Sequence, residues 1–215
     1  MRPLPRTEPF DLHHEKYERW FTRNRFAYDS ELRAVERLLP SAGHGVEIGA
    51  GSGLFAVPLG ITVGVEPSPA MRELAAARGL EVHDGIAEDL PFENEEFDYA
   101  LMVTTICFVD DVHAAFSEAA RVLKPNGRFV IGFVDRASPL GRAYEKHKAD
   151  NVFYREAVFY STDEVLDLLR AHGFVEPGVI QTVFGELSQI DSVQDPAPGY
   201  GEGGFVVVSA AKMTR

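Results

Sequence analysis

Cysteine and positive charge are both scarce in this chain. Its 215 residues include one cysteine, Cys107, and 21 lysines and arginines against 33 acidic residues, which gives a formal net charge of -12. A single cysteine cannot form an internal disulfide, so the composition suits a reducing compartment. An acidic chain lacks the clustered cations that bind phosphate backbones, which argues against nucleic acid as a partner. A small or cationic ligand suits this charge balance better.

Long apolar runs are missing as well. No stretch approaches the roughly 20 apolar residues that cross a bilayer, and residues 1–6 lack the apolar core of a signal peptide. We therefore expect a soluble, cytoplasmic protein with no membrane partner. With 45% hydrophobic residues, the chain can build a single domain over 1–215 with a substantial core.

What the chain does contain is a regular alternation of short apolar strands with amphipathic helices. Helices are predicted over 69–78 and 111–123. Five strands are predicted around them: 46–48, 61–65, 80–82, 97–103 and 128–134. Such alternation is typical of an α/β fold in which helices cover both faces of a mostly parallel sheet. Residues 45–134 would form its cofactor-binding core.

The flanking segments predict further elements. Residues 1–40 read as two helices, of which the first has an aromatic face at helical spacing: Tyr17, Trp20, Phe21, Asn24 and Tyr28. Residues 135–160 show no clear strand and are interpreted as an insertion over the sheet edge and the substrate pocket. In 161–215, Ser161-Thr162-Asp163-Glu164 forms a capping box that opens a helix, and strands follow near 179–184 and 205–210.

The most informative segment is Val46-Glu47-Ile48-Gly49-Ala50-Gly51-Ser52-Gly53. Its alternating glycines permit positive φ and let a ligand touch bare backbone, and the next residues can open a helix whose free N–H groups attract polar atoms. A nucleotide-like cofactor is expected. A dinucleotide motif would need glycine where the chain has Leu54, so that class does not fit. Glu47 suits a cationic amino group or sulfonium, or else is a buried acid held by backbone N–H groups.

A second acid ends the second predicted strand. Glu66, followed by Pro67 and Ser68, can accept hydrogen bonds from both hydroxyl groups of a ribose, because an ionised carboxylate offers two acceptor oxygens. It could also stabilise the dipole of the following helix. Its position beside a glycine loop favours the ribose role.

Five motifs in order resemble the class I S-adenosylmethionine-dependent methyltransferases, in particular the small-molecule branch labelled type 11. They are the glycine loop, Val65-Glu66-Pro67-Ser68, Ala87-Glu88-Asp89-Leu90-Pro91-Phe92, Phe97-Asp98-Tyr99-Ala100 and residues 122–128. The resemblance implies a Rossmann-like sheet of seven strands, with an antiparallel last strand at 205–210 between the fifth and sixth, and an N-terminal helical lid. The implied cofactor is S-adenosyl-L-methionine, with S-adenosyl-L-homocysteine as its product.

The resemblance also implies a set of cofactor-binding residues: Tyr17, Glu47, Gly49, Ala50, Gly51, Ser52, Gly53, Glu66, Pro67, Ala87, Glu88, Thr104 and Thr105. The loop and its preceding acid would hold the methionine part, and the threonines would line the floor near the sulfur. Tyr17 would act as a lid, since aromatic faces attract a sulfonium. Many relatives have an acid in place of Ile86 beside the adenine. Here the adenine amino group would be met by Glu88, Asp84 or a backbone carbonyl.

No residue is marked by its spacing as a catalytic base. Methyl transfer from a sulfonium is an in-line displacement with a good leaving group, so orientation of the reactants and exclusion of water contribute most. If the small-molecule acceptor must lose a proton, five side chains are candidates: His13, His14, His147, Tyr154 and Tyr160. The first two histidines have no partner at metal-ligand spacing, and we expect no metal.

Two other functions are compatible with parts of the sequence. Tyr144-Glu145-Lys146-His147-Lys148 matches the Tyr-x-x-x-Lys pair of short-chain dehydrogenases, in which the lysine lowers the pKa of the tyrosine, although the glycine spacing is wrong for NAD(P). A module that binds the cofactor without turnover would keep the same glycines and acids. Cys107 lacks a nucleophile motif and is expected to pack as a small hydrophobe. The acceptor and the oligomeric state are left open.

Overall fold

The computed structural model describes residues 6–214. Its α-helices are α1 (Glu8–Arg23), α2 (Arg25–Leu38), α3 (Pro69–Ala77), α4 (Val112–Val122), α5 (Pro139–His147) and α6 (Thr162–Ala171). Its strands are β1 (Gly45–Ile48), β2 (Val63–Val65), β3 (Glu81–His83), β4 (Phe97–Val103), β5 (Leu123–Val134), β6 (Phe174–Thr182), β7 (Ala197–Pro198) and β8 (Phe205–Lys212). Short 3-10 turns lie at Lys148–Asp150 and Leu187–Gln189.

The strands form one mixed sheet in the order β3-β2-β1-β4-β5-β8-β6-β7. Strands β1 to β5 run parallel, and β8 lies antiparallel between β5 and β6. The predicted Rossmann-like fold is confirmed, including the place of the late strand at Phe205–Lys212. Because the strand order reverses at β1, ligands are expected beside the carboxyl ends of β1 and its neighbours.

The sequence predicts seven strands, and the described sheet has eight. The turn-rich segment after β6 runs back along the sheet edge, where Ala197 pairs with Gln181 and Pro198 pairs with Ile180. A proline has no N–H to donate, so the outermost strand of a sheet is a position that tolerates it. The extra strand β7 is therefore a two-residue edge strand and does not alter the order of the other seven.

The aromatic N-terminal segment breaks earlier than its spacing predicts. Asn24 leaves the helical region, with φ -108° and ψ 40°, and its side-chain amide donates to the Trp20 carbonyl at 3.0 Å. Asparagine side chains compete in this way with the backbone ladder of a helix. Tyr28 consequently lies on α2 rather than on the first helix.

The predicted helix after the glycine loop does not form, and residues 51–60 are a run of turns. Pro58 cannot donate a backbone hydrogen bond, and the Tyr28 hydroxyl occupies the Leu54 carbonyl. Gly60 ends the run with φ 74°. The loop therefore offers individual backbone groups to a ligand rather than the N-terminus of a regular helix.

Helices cover both faces of the sheet, as predicted. On one face Phe116 of α4 and Leu169 of α6 are buried in the apolar core. On the other face α2 packs through its small side chains, with Ala34 and Val35 fully buried. The two cores hold the strand ends, and the loops that follow them, in fixed positions. Within residues 6–214 no helix is long and apolar enough to cross a bilayer.

Candidate functional site

A pocket lies at the carboxyl ends of β1, β2 and β4, where the strand order reverses. Nine of the predicted cofactor-binding residues line it: Tyr17, Gly49, Gly51, Glu66, Pro67, Ala87, Glu88, Thr104 and Thr105. Further lining residues were not predicted from the sequence: Arg6, Thr7, Phe10, Met71, Phe108, Val109 and Asp110. The second group supplies mainly the walls and the mouth.

The glycines of the loop adopt the backbone conformation that the sequence predicts. Gly49, Gly51 and Gly53 have φ values of 71°, 54° and 81°, a region that other residues rarely adopt. The space at Gly49 is also closed to a side chain, because an added Cβ would lie 2.3 Å from Cγ2 of Thr105. Thr105 in turn donates its hydroxyl to the Gly49 carbonyl at 3.1 Å. The loop and the end of β4 are thus fitted to each other.

Glu66 lies at the pocket wall and organises the loop from the end of β2. Its Oε2 accepts the backbone N–H of Gly51 at 2.9 Å, and its Oε1 accepts that of Ser68 at 2.8 Å. Each carboxylate oxygen has two lone pairs, so both oxygens can accept a further hydrogen bond. Burial raises the pKa of Glu66 to about 7, although these hydrogen bonds and the Arg72 charge act in the opposite direction.

Glu47 is buried behind the loop and does not line the pocket. Its Oε2 accepts the backbone N–H of Ala56 at 2.8 Å, so one oxygen holds the turn region after the glycines. Burial raises the pKa of Glu47 well above its usual range, and the nearby Glu66 charge adds to the rise, against the hydrogen bond from Ala56. The structure thus places Glu47 as a buried acid behind the loop, with the backbone N–H of Ala56 bonded to its carboxylate.

Three other predicted residues also lie behind the lining. Ala50 is buried at the foot of the loop, and its N–H donates to the Val65 carbonyl at 2.9 Å. Ser52 donates its hydroxyl to Glu18 of α1, which pairs with Arg78. Gly53 sits against Ala75 of α3, where an added Cβ would lie 3.6 Å from the alanine. Their visible roles are to fix the loop to β2, α1 and the α3 region.

The segment after β3 forms an apolar slot in the pocket. Ile86 and Ala87 are buried and line it. Glu88 lines it too, and its Oε1 accepts the backbone N–H groups of Asp110 and Asp111 at 2.7 and 3.2 Å. Asp84 is exposed and pairs with Arg72 at 2.8 Å, and it is absent from the described lining. Of the polar candidates for the adenine amino group, Glu88 is therefore the one in the pocket.

Thr104 stands between the main pocket and a smaller cavity behind it. It has a positive φ of 50°, and its N–H donates to the Gly132 carbonyl at 2.7 Å, which holds β4 against β5. The smaller cavity is lined by Thr104, Ile106, Cys107, Phe133, Val134, Tyr154, Phe159 and Tyr160. Burial raises the pKa of the Cys107 thiol to about 12, so this sulfur is a packed thiol rather than a nucleophile.

Helix α1 and the 135–160 segment meet above the pocket. The ring of Phe10 lies 5.1 Å from that of Phe108 and 5.3 Å from that of Phe153, between ring centroids. Tyr17 also contacts the Phe153 ring, at 6.1 Å. The Tyr17 hydroxyl reaches the loop, since a Cβ added to Gly51 would lie 3.2 Å from it. An N-terminal helical lid therefore covers the pocket, with Tyr17 on its inner side.

Polar contacts fasten the amino-terminal part of this lid at two places. Asp11 accepts the hydroxyl hydrogen of Ser68, the residue that caps α3. Arg6 pairs with Asp110 and also donates to the Glu156 carbonyl at 2.9 Å. Both attachments lie at the amino-terminal part of α1 and cross the pocket mouth. Opening of the mouth would require both sets of contacts to break.

The candidate bases occupy different places. His13 and His147 are exposed, and His14 is partly buried with its Nδ1 3.1 Å from the Asp11 carbonyl oxygen. None of these histidines is among the described lining residues of the pocket or of the smaller cavity. Tyr154 and Tyr160 do line the smaller cavity, and burial raises the pKa of both hydroxyls.

The Tyr-x-x-x-Lys pair is not arranged for a dehydrogenase. Lys148 donates to the Ala157 carbonyl at 3.1 Å and pairs with Glu145 at 3.1 Å. The Tyr144 ring stacks on Tyr154, with 5.2 Å between centroids. Burial raises the pKa of Tyr144, and the nearby charge of Glu31 adds to the rise. A catalytic tyrosine of that class needs the opposite shift.

Glu31 was not predicted from the sequence. It lies at the centre of the apolar stripe of α2, formed by Ala27, Glu31, Ala34, Val35 and Leu38, and it is 6% exposed. Burial raises its pKa to about 8. The sequence signal for it is an acid that lies four residues after Ala27 and four residues before Val35, both of which are apolar and buried.

The comparisons with known proteins identify the family. A model of the methyltransferase domain matches residues 46–131. A solved structure from Thermotoga maritima, described as a SAM-dependent methyltransferase and possible histamine N-methyltransferase, is 53% identical with a TM-score of 0.94 over 96% of this chain and 99% of that chain. The chain belongs to the S-adenosylmethionine-dependent methyltransferases.

Two curated relatives of this methyltransferase extend the likeness. An uncharacterized protein of Methanocaldococcus jannaschii is 43% identical over 95% of this chain and 98% of its own length. The demethylmenaquinone methyltransferase of Tropheryma whipplei is 27% identical over 80% of this chain and 84% of its own length. The methyltransferase therefore uses S-adenosylmethionine as its methyl donor. The dehydrogenase and binding-module interpretations are not supported.

The pocket of the methyltransferase fits this donor in its chemistry. Gly51 presents bare backbone opposite the Tyr17 hydroxyl, where an added Cβ would lie 3.2 Å from that oxygen. Glu66 retains acceptor capacity toward the pocket for hydroxyl donors, and Ile86 with Ala87 offers an apolar wall for a flat base.

Proposed function

We propose that this methyltransferase transfers the methyl group to a nitrogen of a small basic amine. The observation that carries the proposal is the character of the space behind Thr104. Tyrosine and phenylalanine rings line it, and no lysine or arginine is among its described lining residues. Aromatic faces attract cations, more strongly where water is excluded. The net charge of -12 also favours a cationic ligand. The Thermotoga relative is described as a possible histamine N-methyltransferase.

The predicted cofactor-binding residues keep their roles in this proposal. Glu66 would accept the ribose hydroxyl groups, with Pro67 beside it. The slot at Ala87 and Glu88 would take the adenine, and Thr104 and Thr105 would face the sulfur. The glycine loop would hold the methionine part. Glu47 would act from behind the loop as a negative charge toward the methionine amino group.

The chain's own residues then have three tasks. S-adenosylmethionine, when bound, would supply an electrophilic methyl group on a sulfonium. The acceptor amine would react as its free base, so that its nitrogen lone pair would form the N–C bond, the C–S electron pair would stay on sulfur, and the positive charge would pass to the methylated nitrogen. Thr104 and the rings behind it would hold the amine nitrogen in line with that methyl group. The lid rings Phe10, Phe153 and Tyr17 would keep water out. The hydroxyls of Tyr154 and Tyr160 stay protonated because burial raises their pKa, so they serve as hydrogen-bonding groups and not as anionic bases.

An acceptor screen tests this function. The full chain would be incubated with S-adenosylmethionine and equal concentrations of amines, phenols, carboxylic acids and a quinol, with S-adenosylhomocysteine formation and product mass as readouts. We expect turnover with aromatic or imidazole-bearing amines such as histamine, tyramine and 2-phenylethylamine, and a mass gain of one methyl group on nitrogen. Turnover confined to phenols, acids or the quinol would overturn the proposal, as would the absence of turnover with every amine.

A further inference from the structure

A groove at the junction of α1 and α2 concentrates positive charge on the surface of the protein. Of its twelve described lining residues four are cationic, and none is acidic. The cations are Lys16, Arg19, Arg23 and Arg25. The chain as a whole has the opposite balance, with 33 acidic residues against 21 lysines and arginines. The groove is therefore a local positive field on an acidic protein, which attracts an anionic ligand.

The spacing of α1 and the break that follows it bring these cations together. Four positions of α1 at spacing i, i+3, i+4 and i+7 lie on one helix face: Lys16, Arg19, Trp20 and Arg23. Asn24 ends the helix, because its backbone N–H and its side-chain amide both donate to the Trp20 carbonyl, at 2.9 and 3.0 Å. The first two residues of α2 follow at once and line the same groove.

The arginines of the groove are only weakly engaged within the fold. The side chain of Arg23 has no hydrogen-bonding or ion-pair partner among residues 6–214. Arg19 pairs with Glu15 at 3.3 Å and Arg25 pairs with Asp29 at 3.4 Å, but the two arginine side chains are 69% and 78% exposed. Exposed pairs of this i,i+4 kind contribute little to stability. A bound anion can therefore engage these guanidinium groups at little cost to the fold.

Apolar side chains line the same groove between the cations. Phe26 is 43% exposed, and the ring of Trp20 packs edge-on against that of Phe21, with 5.1 Å between centroids. Leu187 and Ile190 line the groove from the short 3-10 turn after β6 and the residue that ends it. Arginine and aromatic side chains that lie together are typical of the residues that contribute most to protein interfaces.

The groove is separate from the cofactor site. Its described lining shares no residue with the cofactor pocket or with the smaller cavity behind Thr104. Tyr17, the inner residue of the lid, follows Lys16 directly but lines the cofactor pocket instead. A ligand in the groove would therefore contact the lid helix without entering the space that the cofactor occupies.

We propose that this groove docks a short acidic segment of another protein, with an aromatic or aliphatic side chain placed among its carboxylates. The planar guanidinium groups would pair with the carboxylates, and the apolar side chain would pack against Trp20, Phe26 and Leu187. A second copy of this chain in a two-fold pair, groove against groove, would bring the two sets of cations opposite each other. A long nucleic acid would extend beyond the groove over a protein with net negative charge. The inference does not depend on the identity of the methyl acceptor.

A library of short acidic peptides with varied apolar positions tests the docking site on the full chain. Because Trp20 is the only tryptophan, its fluorescence reports on this groove, and anisotropy of labelled peptides gives the affinity. We expect peptides with aromatic or leucine side chains to bind with a Kd of about 100 μM or tighter, and more weakly as salt is added. Peptides of equal charge with alanine at the apolar positions should bind about tenfold more weakly.

Arg23→Glu and Arg37→Glu form a matched pair of variants. Both arginines are exposed and lie in the last turn of a helix, so the two substitutions change the net charge and the interaction with the helix dipole alike. We expect Arg23→Glu to weaken peptide binding by about tenfold or more, and Arg37→Glu to bind like the wild type. Phe26→Ala should also weaken it. Unchanged binding of S-adenosylhomocysteine in each variant would show that the fold is intact.

Three results would overturn the docking site. If no peptide of the library binds to the wild type, the groove does not take an acidic segment. If Arg37→Glu weakens binding as much as Arg23→Glu, or if the alanine peptides bind as tightly as the others, the attraction is general and not a property of the groove. If phosphatidylserine vesicles or single-stranded DNA bind more tightly than every peptide and Arg23→Glu abolishes that binding, the ligand is a lipid surface or a nucleic acid.

Discussion

The backbone N–H of Gly51 donates to Oε2 of Glu66 at 2.9 Å, and this contact joins the loop after β1 to the acid that ends β2. The other oxygen of the same carboxylate accepts the N–H of Ser68, the cap of α3. Glu66 thus fixes the conformation of the loop and presents its remaining lone pairs to the pocket that it lines. The glycine loop and the Glu66 carboxylate are therefore parts of one hydrogen-bonded unit.

Replacement of Glu66 should weaken the cofactor more than it weakens the fold. A hydrogen bond to a charged group contributes about 1.5–3 kcal/mol, so Glu66→Ala should reduce the affinity for S-adenosylhomocysteine by roughly 10- to 100-fold in calorimetry. The exposed Glu73 of α3 provides the matched control as Glu73→Ala. Unchanged affinity in the Glu66 variant would remove this residue from the ribose site.

Cofactor binding should also depend on pH through Glu66. Burial raises the pKa of this carboxyl to about 7 in the free protein, and hydroxyl donors of a ribose favour the ionised form. Affinity should therefore fall as the pH is lowered through about 7, and binding at neutral pH should release protons. Calorimetry between pH 5.5 and 8.5 would show this slope in the wild type. A slope of equal size in Glu66→Gln would assign the titration to another group, with Glu47 the first alternative.

Alanine variants of Gly49 and Gly60 separate the cost of a strained backbone from the cost of a steric clash. Gly49 and Gly60 have nearly the same φ, 71° and 74°, but an added Cβ at Gly60 has no neighbour within 4 Å, whereas at Gly49 it would lie 2.3 Å from Thr105. Gly60→Ala should cost about 1–2 kcal/mol from the left-handed backbone alone and leave cofactor affinity unchanged. Gly49→Ala should cost more and should abolish cofactor binding. Equal losses in the two variants would contradict the fit between the loop and β4.

The backbone of the cofactor pocket could be predicted from the sequence to a large extent. Alternating glycines between an apolar strand and turn residues require positive φ, and the structure shows it at Gly49, Gly51 and Gly53. Glu66 follows directly from its place at a strand end, because parallel strands bring their carboxyl ends to one edge. These features depend on short-range spacing and on the order of elements, which a sequence records.

The orientation of side chains and the contacts between residues far apart in the chain could not be predicted from short-range spacing. The sequence left two interpretations of Glu47 open, and only the structure shows that its carboxylate accepts the Ala56 N–H behind the loop. The meeting of Phe10 with Phe153 joins residues that are far apart in the chain. Glu31 is a single acid whose i+4 spacing places it on the apolar stripe of α2, but spacing does not show which groups surround its carboxylate.

The aromatic contacts of the lid should control the lifetime of the bound cofactor. Phe153 touches Phe10 and Tyr17, and Lys16 lies 5.9 Å from its ring centroid. Phe153→Ala would remove these contacts without changing the loop, so dissociation of S-adenosylhomocysteine should be faster by about tenfold, as expected for loss of aromatic pairs of about 0.5–1.5 kcal/mol each. Stopped-flow displacement measures the rate. Phe26→Ala, at an exposed ring of α2, is the control, and an equal acceleration in both variants would rule out a specific lid contact.

Glu31 should lower the stability of the folded protein in a pH-dependent manner. Its pKa rises from 4.5 to about 8 on folding because of burial. The neutral form is therefore favoured in the folded state, and its contribution to stability is fully present below pH 4.5 and is lost as the pH rises toward 8. The loss has a limiting slope of about 1.4 kcal/mol per pH unit.

Glu31→Gln lacks this titration, so it should unfold at a higher temperature than the wild type near neutral pH. The difference in Tm should grow from pH 4.5 to 8 and then level off, in scans of the free protein. Glu36→Gln, on the exposed side of the same helix, should show no such trend. A constant Tm difference across this range would instead mean that the carboxylate is ionised and solvated in the free protein.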